Sequence, residues 1–333
     1  MGKIVNELSQ RADYLVTLFS TDPGKTPHDL VPLLKPPIDL VIAAGGDGTI
    51  RFTVAALAEA GSKIPAGIIP LGTLNVLARN LGIVQESFFA NPLANAFSAI
   101  QHGRPMRIDL GTMNGEYFVV AAGAGPISDA FVVPSREEKN NFRMLAYARA
   151  AIQSISVPPV VFKITTNDSE YMVESSGVFV SNVEDFGLGK AADIGELSDG
   201  ELTLNILNPK DFRDYVEIGF RYAGGFVDGN APCYVRKVRE VRIEVVPGRE
   251  QLSALQEPGY GLKAMLNGNS QRALPAPGDV TAMIDGEQWG TTPMHVRVIP
   301  KAVNILVPPR PEELEFERSF SRSLPYDMSL PKR

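Results

Sequence analysis

The stretch from 38 to 61, IDLVIAAGGDGTIRFTVAALAEAG, constrains this chain more than any other. Its apolar block, 38–44, has the length and composition of a buried strand. From Thr49 onward, Ile50, Val54, Leu57 and Ala58 recur at helical spacing until Gly61 supplies a stop. Only Gly45-Gly46-Asp47-Gly48-Thr49 joins the two. One unit further on, the strand AGIIP (66–70) runs into the loop Pro70-Leu71-Gly72-Thr73-Leu74-Asn75 and a helix, LNVLARNL. Strand-loop-helix units in series predict a parallel sheet flanked by helices. Ligands of such sheets bind beyond the carboxyl ends of the strands, where both glycine loops fall.

After about residue 109 the texture changes to short runs rich in Val, Ile and Phe, separated by Asn-Gly, Asp-Gly and Pro-Gly. EYFVVAA, VVFKITT, YMVESSGVFVSN, ELTLNIL, YVRKVREVRIEVV, DVTAMIDG and MHVRVIP read as strands, with one helix among them at about 140–156. The fold class expected is therefore α/β plus all-β. A three-layer nucleotide-binding α/β domain at 1–108 precedes an antiparallel β-sandwich at 109–308. The charged, proline-punctuated stretch 309–333 has no apolar period and is expected to be a disordered tail. A length of 333 residues suits two domains with separate cores.

Composition narrows the function classes. One cysteine, Cys233, excludes a disulfide framework or a multi-cysteine zinc cluster, and an inert buried thiol is its expected role. The first residues do not read as a secretory signal, and no apolar run reaches the roughly 18 residues of a spanning helix. A cytoplasmic protein, at most peripheral to a membrane, is expected. The net charge of −6 argues against nonspecific nucleic-acid binding.

The glycines at 45, 46 and 48 let a backbone approach a phosphate closely, and the helix that follows offers free N–H groups and its dipole to the negative charge. Asp47 would repel bare phosphate, so it points to a nucleotide with Mg²⁺. Neither GxxxxGK[ST] nor a GxGxxG at the first strand-helix turn is present. The second loop, with Gly72, Thr73 and Asn75, repeats the logic, and Arg79 lies one turn inside its helix. Asp285 and Glu287, in Ile-Asp-Gly-Glu, are candidates for proton abstraction from an attacking hydroxyl, although Asp-Gly there fits a hairpin turn slightly better. Ser198-Asp199-Gly200 has the same turn reading.

In order, GGDGT, PLGTLNVLARNLGI, RIDLGTMNGEYFVVAAGAG, VFVSN, ELSDGELTLNIL, IDGE and VIPKAVNILVP resemble the diacylglycerol kinase catalytic-domain family. That family includes bacterial lipid kinases and the sphingosine and ceramide kinases, and NAD kinases share GGDGT with it. The resemblance covers most of 38–308. It implies a lipid kinase using ATP and Mg²⁺, with the site between an α/β domain and a β-sandwich. The nucleotide would lie on Gly45 to Arg51 and Thr73, with Thr21 in contact. Asp285 would accept the hydroxyl proton, supported by Glu287. A Mg²⁺ would be held by Asp199 with the carbonyls of Glu196 and Glu201, and Asp109 would lie near that network. The partners implied are ATP and a lipid at a membrane surface, diacylglycerol or a relative; a homodimer is the remaining partner expectation, and nucleic acid is not a partner.

The chain begins downstream of the family's first strand and its Asn-Pro turn. Val76 stands where many members have Asp, and GAGPISDA (123–130) departs from the usual glycine-aspartate pattern. These departures keep two alternatives open: a soluble-substrate kinase resembling NAD kinase, and a noncatalytic nucleotide or lipid sensor. Arg236, Lys237, Arg239 and Arg242 suit a solvated strand face better than an anionic membrane contact. Trp289 suits either packing or a lipid surface, and His28, His102 and His295 ordinary structural roles.

Overall fold

The structure, a computed structural model, describes residues 6, 15–22, 24–84, 92–126, 159–186, 194–224, 232–246 and 280–309. β1 (Val41–Gly45) and β2 (Ala66–Pro70) pair in parallel, with Val41 opposite Ala66 and Gly45 opposite Pro70. Between them runs α1 (Asp47–Glu59), which buries Ile50, Val54 and Leu57, three of the four positions its helical period singled out, and half-buries the fourth, Ala58. It ends before Gly61, whose φ of 55° lies in the left-handed region that glycine reaches at little cost. α2 (Val76–Asn80) and α3 (Pro92–His102) follow β2. A Cβ on Gly67 of β2 would lie 2.7 Å from Ile100 of α3, so the absence of a side chain there sets how closely helix and sheet pack.

The second part is built from β3 (Arg104–Met113), β4 (Glu116–Phe118), β5 (Ala121–Ala124), β6 (Val160–Thr166), β7 (Glu170–Ser175), β8 (Gly177–Ser181), β9 (Leu202–Leu207), α4 (Phe212–Gly224), β10 (Cys233–Val238), β11 (Glu240–Val245), β12 (Thr281–Ile284), β13 (Glu287–Thr291) and β14 (Met294–Val307). One antiparallel sheet has the order β10-β9-β8-β5-β12-β13. The other runs β1-β2-β14-β11-β6-β7, with β3 on β14 and β4 on β3. Phe118, Phe162, Ile164, Val178, Val180, Leu204 and Val296 fill the space between the two sheets. An α/β unit joined to an antiparallel β-sandwich is thus the architecture, as the sequence patterns predict.

The units share strands. β3 follows β14 along its whole length, Val296 opposite Met113 at one end and Val307 opposite Arg104 at the other. On its other edge, β14 pairs first with β11 and then, at Ile305, with β2. Between those two neighbours the ladder slips from Ile299 to Val303, and Lys301 takes φ 50°. The boundary expected at 108 therefore falls inside β3, beside this bend.

The sequence reading differs from the structure in several elements. YVRKVREVRIEVV is two strands, β10 and β11, which break at Arg239 and enter different sheets. YMVESSGVFVSN is likewise β7 and β8, divided at Ser176. Residue alternation carries no mark of which sheet a strand joins, so a corner between sheets looks like continuous strand. α4 was not expected, because its aromatic and β-branched residues resemble the neighbouring strands. The helix expected at 140–156 and the tail from 310 lie outside the described residues. Cys233 is buried, as expected.

Gly111 of β3 gives a direct test of the packing between layers. A Cβ there would fall 1.9 Å from the ring of the fully buried Phe118. Gly111→Ala is expected to cost about 1–3 kcal/mol by displacing that ring, and urea unfolding of the variant measures it.

Candidate active site

The first glycine loop leaves β1 at Gly45 and enters α1 at Asp47, with Gly46 as an extended N-cap that offers no side chain to the first helical turn. The N–H groups of that turn therefore lack a side-chain cap and remain suited to an anion. The second loop lies against the first: Leu71 N–H donates to Gly45 O at 2.8 Å, and a Cβ on Gly72 would sit 2.5 Å from Gly46 Cα. Two backbones thus touch where any side chain would part them. Asn75, at φ 50°, locks the second loop by accepting from Gly72 N–H and donating to Gly72 O, both at 2.8 Å. Thr73 lies within that turn, half-buried.

Asp47 does not point away from the protein. Burial raises its carboxyl pKa, while the N–H groups of Leu77, Val76 and Asn75 at the start of α2 pull it back down. Its Oδ1 is buried with no hydrogen-bond partner, an oxygen that a cation or a ligand hydroxyl would satisfy. Asp47 is therefore compatible with the metal-bearing nucleotide that the sequence suggests, while also holding the second helix to the first loop. Arg79 folds back so that Nε donates to Leu74 O at 2.9 Å. Thr21 is exposed, in a segment anchored where the Phe19 ring lies 6.0 Å from that of Phe52.

Asp285 and Gly286 form the two-residue turn between β12 and β13, with φ of 49° and 81° and Ile284 opposite Glu287. Turn and candidate base are thus the same residue. Its carboxylate swings back onto the chain entering β5: Oδ2 accepts from Val119 N–H at 3.0 Å, and Oδ1 from Val120 and Ala121 N–H at 2.8 and 3.0 Å. A carboxylate has about four lone-pair sites, so three donors leave one, on Oδ2, for a proton. Burial pushes the Asp285 pKa up to about 6, against the opposing pull of the Val119 N–H, the Arg51 charge and the other two N–H groups. A carboxyl group with that pKa is largely ionised at neutral pH and able to accept a proton.

Glu287 faces the glycine loop. Its Oε2 accepts from Arg51 Nη2 at 2.5 Å, and its Oε1 lies 3.6 Å from where a Cβ on Gly48 would be. Arg51 also stacks over Trp289, 5.2 Å from guanidinium carbon to ring centroid. One arginine in the first turns of α1 thus ties the first loop to β13, next to Asp285. Sequence reading placed Arg51 only among nucleotide contacts; its role as the link needs the tertiary fold. Arg51→Gln is expected to raise the Asp285 pKa further, moving the acid limb of the pH–rate profile above that of the wild type. An unmoved limb would remove Arg51 from the electrostatics of the base.

Two buried asparagines also tie segments together beside the site. Asn80, at the end of α2, donates to Asp185 O at 2.7 Å and accepts from Asp185 N–H at 3.1 Å, clamping the α/β unit to the loop after β8. Asn182 donates to Asp109 O at 2.9 Å. Their signal in the sequence is a polar residue within an apolar run, which by itself does not say what it pairs with.

Of the residues expected around a bound Mg²⁺, each carboxylate is already engaged. Asp109 is fully buried at the bend of β3, where Oδ2 accepts from Gly200 N–H and Oδ1 from Lys301 N–H, both at 2.6 Å. Asp199 Oδ1 accepts from Glu201 N–H at 2.9 Å, and Oδ2 from Lys237 Nζ at 2.8 Å. Glu196 Oε2 takes the same ammonium, and Glu201 lies 3.5 Å from Arg239 Nε. Among the described residues, no three of His, Cys, Asp and Glu are grouped to hold a metal ion. The carboxylates of this set are thus matched by donors of the protein itself. The four basic residues considered for a membrane are accounted for similarly: Arg236 pairs with Asp168 at 2.6 Å and Arg242 with Glu244 at 2.9 Å, as Lys237 and Arg239 pair with their acids. His28 pairs with Glu59 at 2.6 Å and His295 with Glu240 at 2.5 Å. Among the described residues no helix is long and apolar enough to cross a membrane.

Residues 2–113 match the family described as diacylglycerol kinase catalytic domain. A Bacillus subtilis diacylglycerol kinase is 27% identical over 248 residues, which cover 74% of this chain and 80% of that protein. An uncharacterized protein from Synechocystis is 27% identical over 272 residues, 80% of this chain and 54% of its own length. A diacylglycerol kinase from Staphylococcus haemolyticus is 28% identical over 209 residues, 60% of this chain and 59% of that one. This chain therefore spans only a little over half the length of the last two. Among solved structures, a diacylglycerol kinase from Bacillus anthracis superposes with a TM-score of 0.60 at 19% identity, over 92% of this chain and 88% of that one, a likeness of fold. Residues 2–113 thus match the diacylglycerol kinase catalytic-domain family, and the chain is similar in sequence to bacterial diacylglycerol kinases and in fold to one of them.

Proposed function

We propose that this protein transfers the γ-phosphoryl group of ATP to a hydroxyl of a lipid, diacylglycerol or a close relative, with Asp285 as the proton acceptor. The observation that carries the proposal is the Asp285 carboxylate, fixed by three backbone N–H groups and tied through Glu287 and Arg51 to the first glycine loop. In the reaction, the lipid oxygen forms a bond to the γ-phosphorus as the bond to the β-phosphate oxygen breaks. Asp285 takes the hydroxyl proton, and ADP leaves. The uncapped first turn of α1 and the backbone of the Gly72 loop would hold the phosphates, and the ordered positions of loop and base supply proximity. Mg²⁺ bound with the nucleotide would screen phosphate charge, with Asp47 and its unpartnered Oδ1 as the residue to meet it. The lipid would approach from a membrane surface with the protein bound peripherally.

The test is transfer of labelled γ-phosphate from Mg-ATP into detergent-dispersed diacylglycerol, monoacylglycerol, sphingosine, ceramide and phosphatidylglycerol, with NAD as the soluble control. Label in one lipid supports the reading. Label in NAD alone would replace it with a soluble-substrate kinase, and nucleotide binding without transfer to any acceptor would replace it with a sensor.

A further inference from the structure

The Ile194–Ser198 3-10 turn and the Asp199-Gly200 turn after it are held from three sides. Leu197 is buried in the α/β core. Asp109 accepts the Gly200 N–H from beneath the bend of β3. From β10, where it stands opposite Thr203 of β9, Lys237 reaches across and donates to both Glu196 Oε2 and Asp199 Oδ2. The ammonium occupies the position that a cation shared by these two acids would take.

We propose that Lys237 is a tethered internal cation that takes the structural place of a metal ion, so that this turn and its link to Asp109 are ordered without Mg²⁺. Three observations converge. Asp199 Oδ2, the charged oxygen a metal would need, accepts from Lys237 Nζ, while Oδ1 is committed to the Glu201 N–H. Both Asp109 oxygens are committed to backbone donors, and the Glu201 carboxylate turns to Arg239. Lys237 sits on a strand, in register with β9, so its ammonium is delivered without ordering a free ion from solution. A hard divalent cation takes 6–8 oxygens for Ca²⁺, or near-octahedral oxygens for Mg²⁺, whereas an ammonium with three donors is satisfied by far fewer acceptors. Two carboxylates suit the ammonium.

The proposal concerns order in the turn and is independent of the reaction, so it is tested without nucleotide or lipid. For the full chain, the thermal midpoint should be the same within about a degree in EDTA and in millimolar MgCl₂. In Lys237→Met the two acids lose their counterion; the midpoint should fall in EDTA and recover in part on adding MgCl₂. Mn²⁺ binding followed by electron paramagnetic resonance provides a second readout. The wild type should bind at least tenfold more weakly than Lys237→Met, and any binding seen in the variant should disappear when Asp199→Asn is added. Wild-type Mn²⁺ binding that Asp199→Asn abolishes, or a wild-type midpoint raised by MgCl₂, would overturn the proposal. If Lys237→Met does not fold, the two wild-type measurements and Asp199→Asn decide the question alone.

Discussion

Asp285→Asn is expected to lower phosphoryl transfer roughly a thousandfold, the usual range for loss of a positioned general base, with nucleotide affinity nearly unchanged. The backbone should tolerate it, because asparagine adopts the φ of 49° that the turn requires. The cost lies in the acceptor set. Val119, Val120 and Ala121 aim three N–H groups at two carboxylate oxygens, and the amide keeps only one of these as an acceptor. A stability loss of about 1–3 kcal/mol is expected for the donors left unsatisfied, so circular dichroism and nucleotide titration should accompany the rate measurement. Turnover within about tenfold of the wild type would remove Asp285 from the chemistry and leave it a turn residue.

The pH dependence follows from the same residue. With a folded pKa of about 6 against an ordinary 3.8, the folded protein binds this proton more tightly than the unfolded chain. Its contribution therefore favours folding in acid and is lost as pH rises from about 4 to about 6. Activity runs the other way, since the base works only when ionised. kcat/KM should fall below about pH 6 in the wild type, with the acid limb absent from whatever activity Asp285→Asn retains.

The second large effect is expected from Gly72→Ala. The new Cβ would lie 2.5 Å from Gly46 Cα, a backbone contact that rotating a side chain cannot relieve, and 2.8 Å from Asn75 Oδ1. The two loops must separate or Asn75 must release its turn, and a displacement near 1 Å at a phosphate cradle costs about 10²-fold in kcat/KM. Gly24→Ala is the matched control, because a Cβ there meets nothing within 4 Å. Equal, small effects of the two substitutions on ATP binding and turnover would show that the close approach of the loops is dispensable.

The candidate site was legible in parts. The first loop and helix could be read because strand, turn and helix signals all occur within 38–61, and such signals are local. β2 has the bounds its sequence suggests, since Ala66–Pro70 is apolar and closed by a proline. Asp285 could be named, yet turn and base remained alternatives until the carboxylate was seen folded onto Val119–Ala121, 164 to 166 positions away in the chain. Asp199 and Glu196 could be named as acids close in sequence, while the lysine between them stands 38 and 41 positions further on. A sequence gives the acids of a cluster and stays silent on the base that neutralises them.

The sequence by itself determined the two strand-loop-helix units, the glycine loops, the apolar alternation of the β half and the residue types of the site, because each depends on neighbours a few positions away. Tertiary structure alone decided that β14 and β3 bend through both units, that β10 and β11 part into different sheets, and that Arg51 reaches Glu287 while Lys237 takes the acids read as metal ligands. The physical reason is the same for all of these. Partner choice between distant segments rests on burial and on satisfying buried polar groups across the whole fold, and neither is encoded in the spacing of residues along one segment.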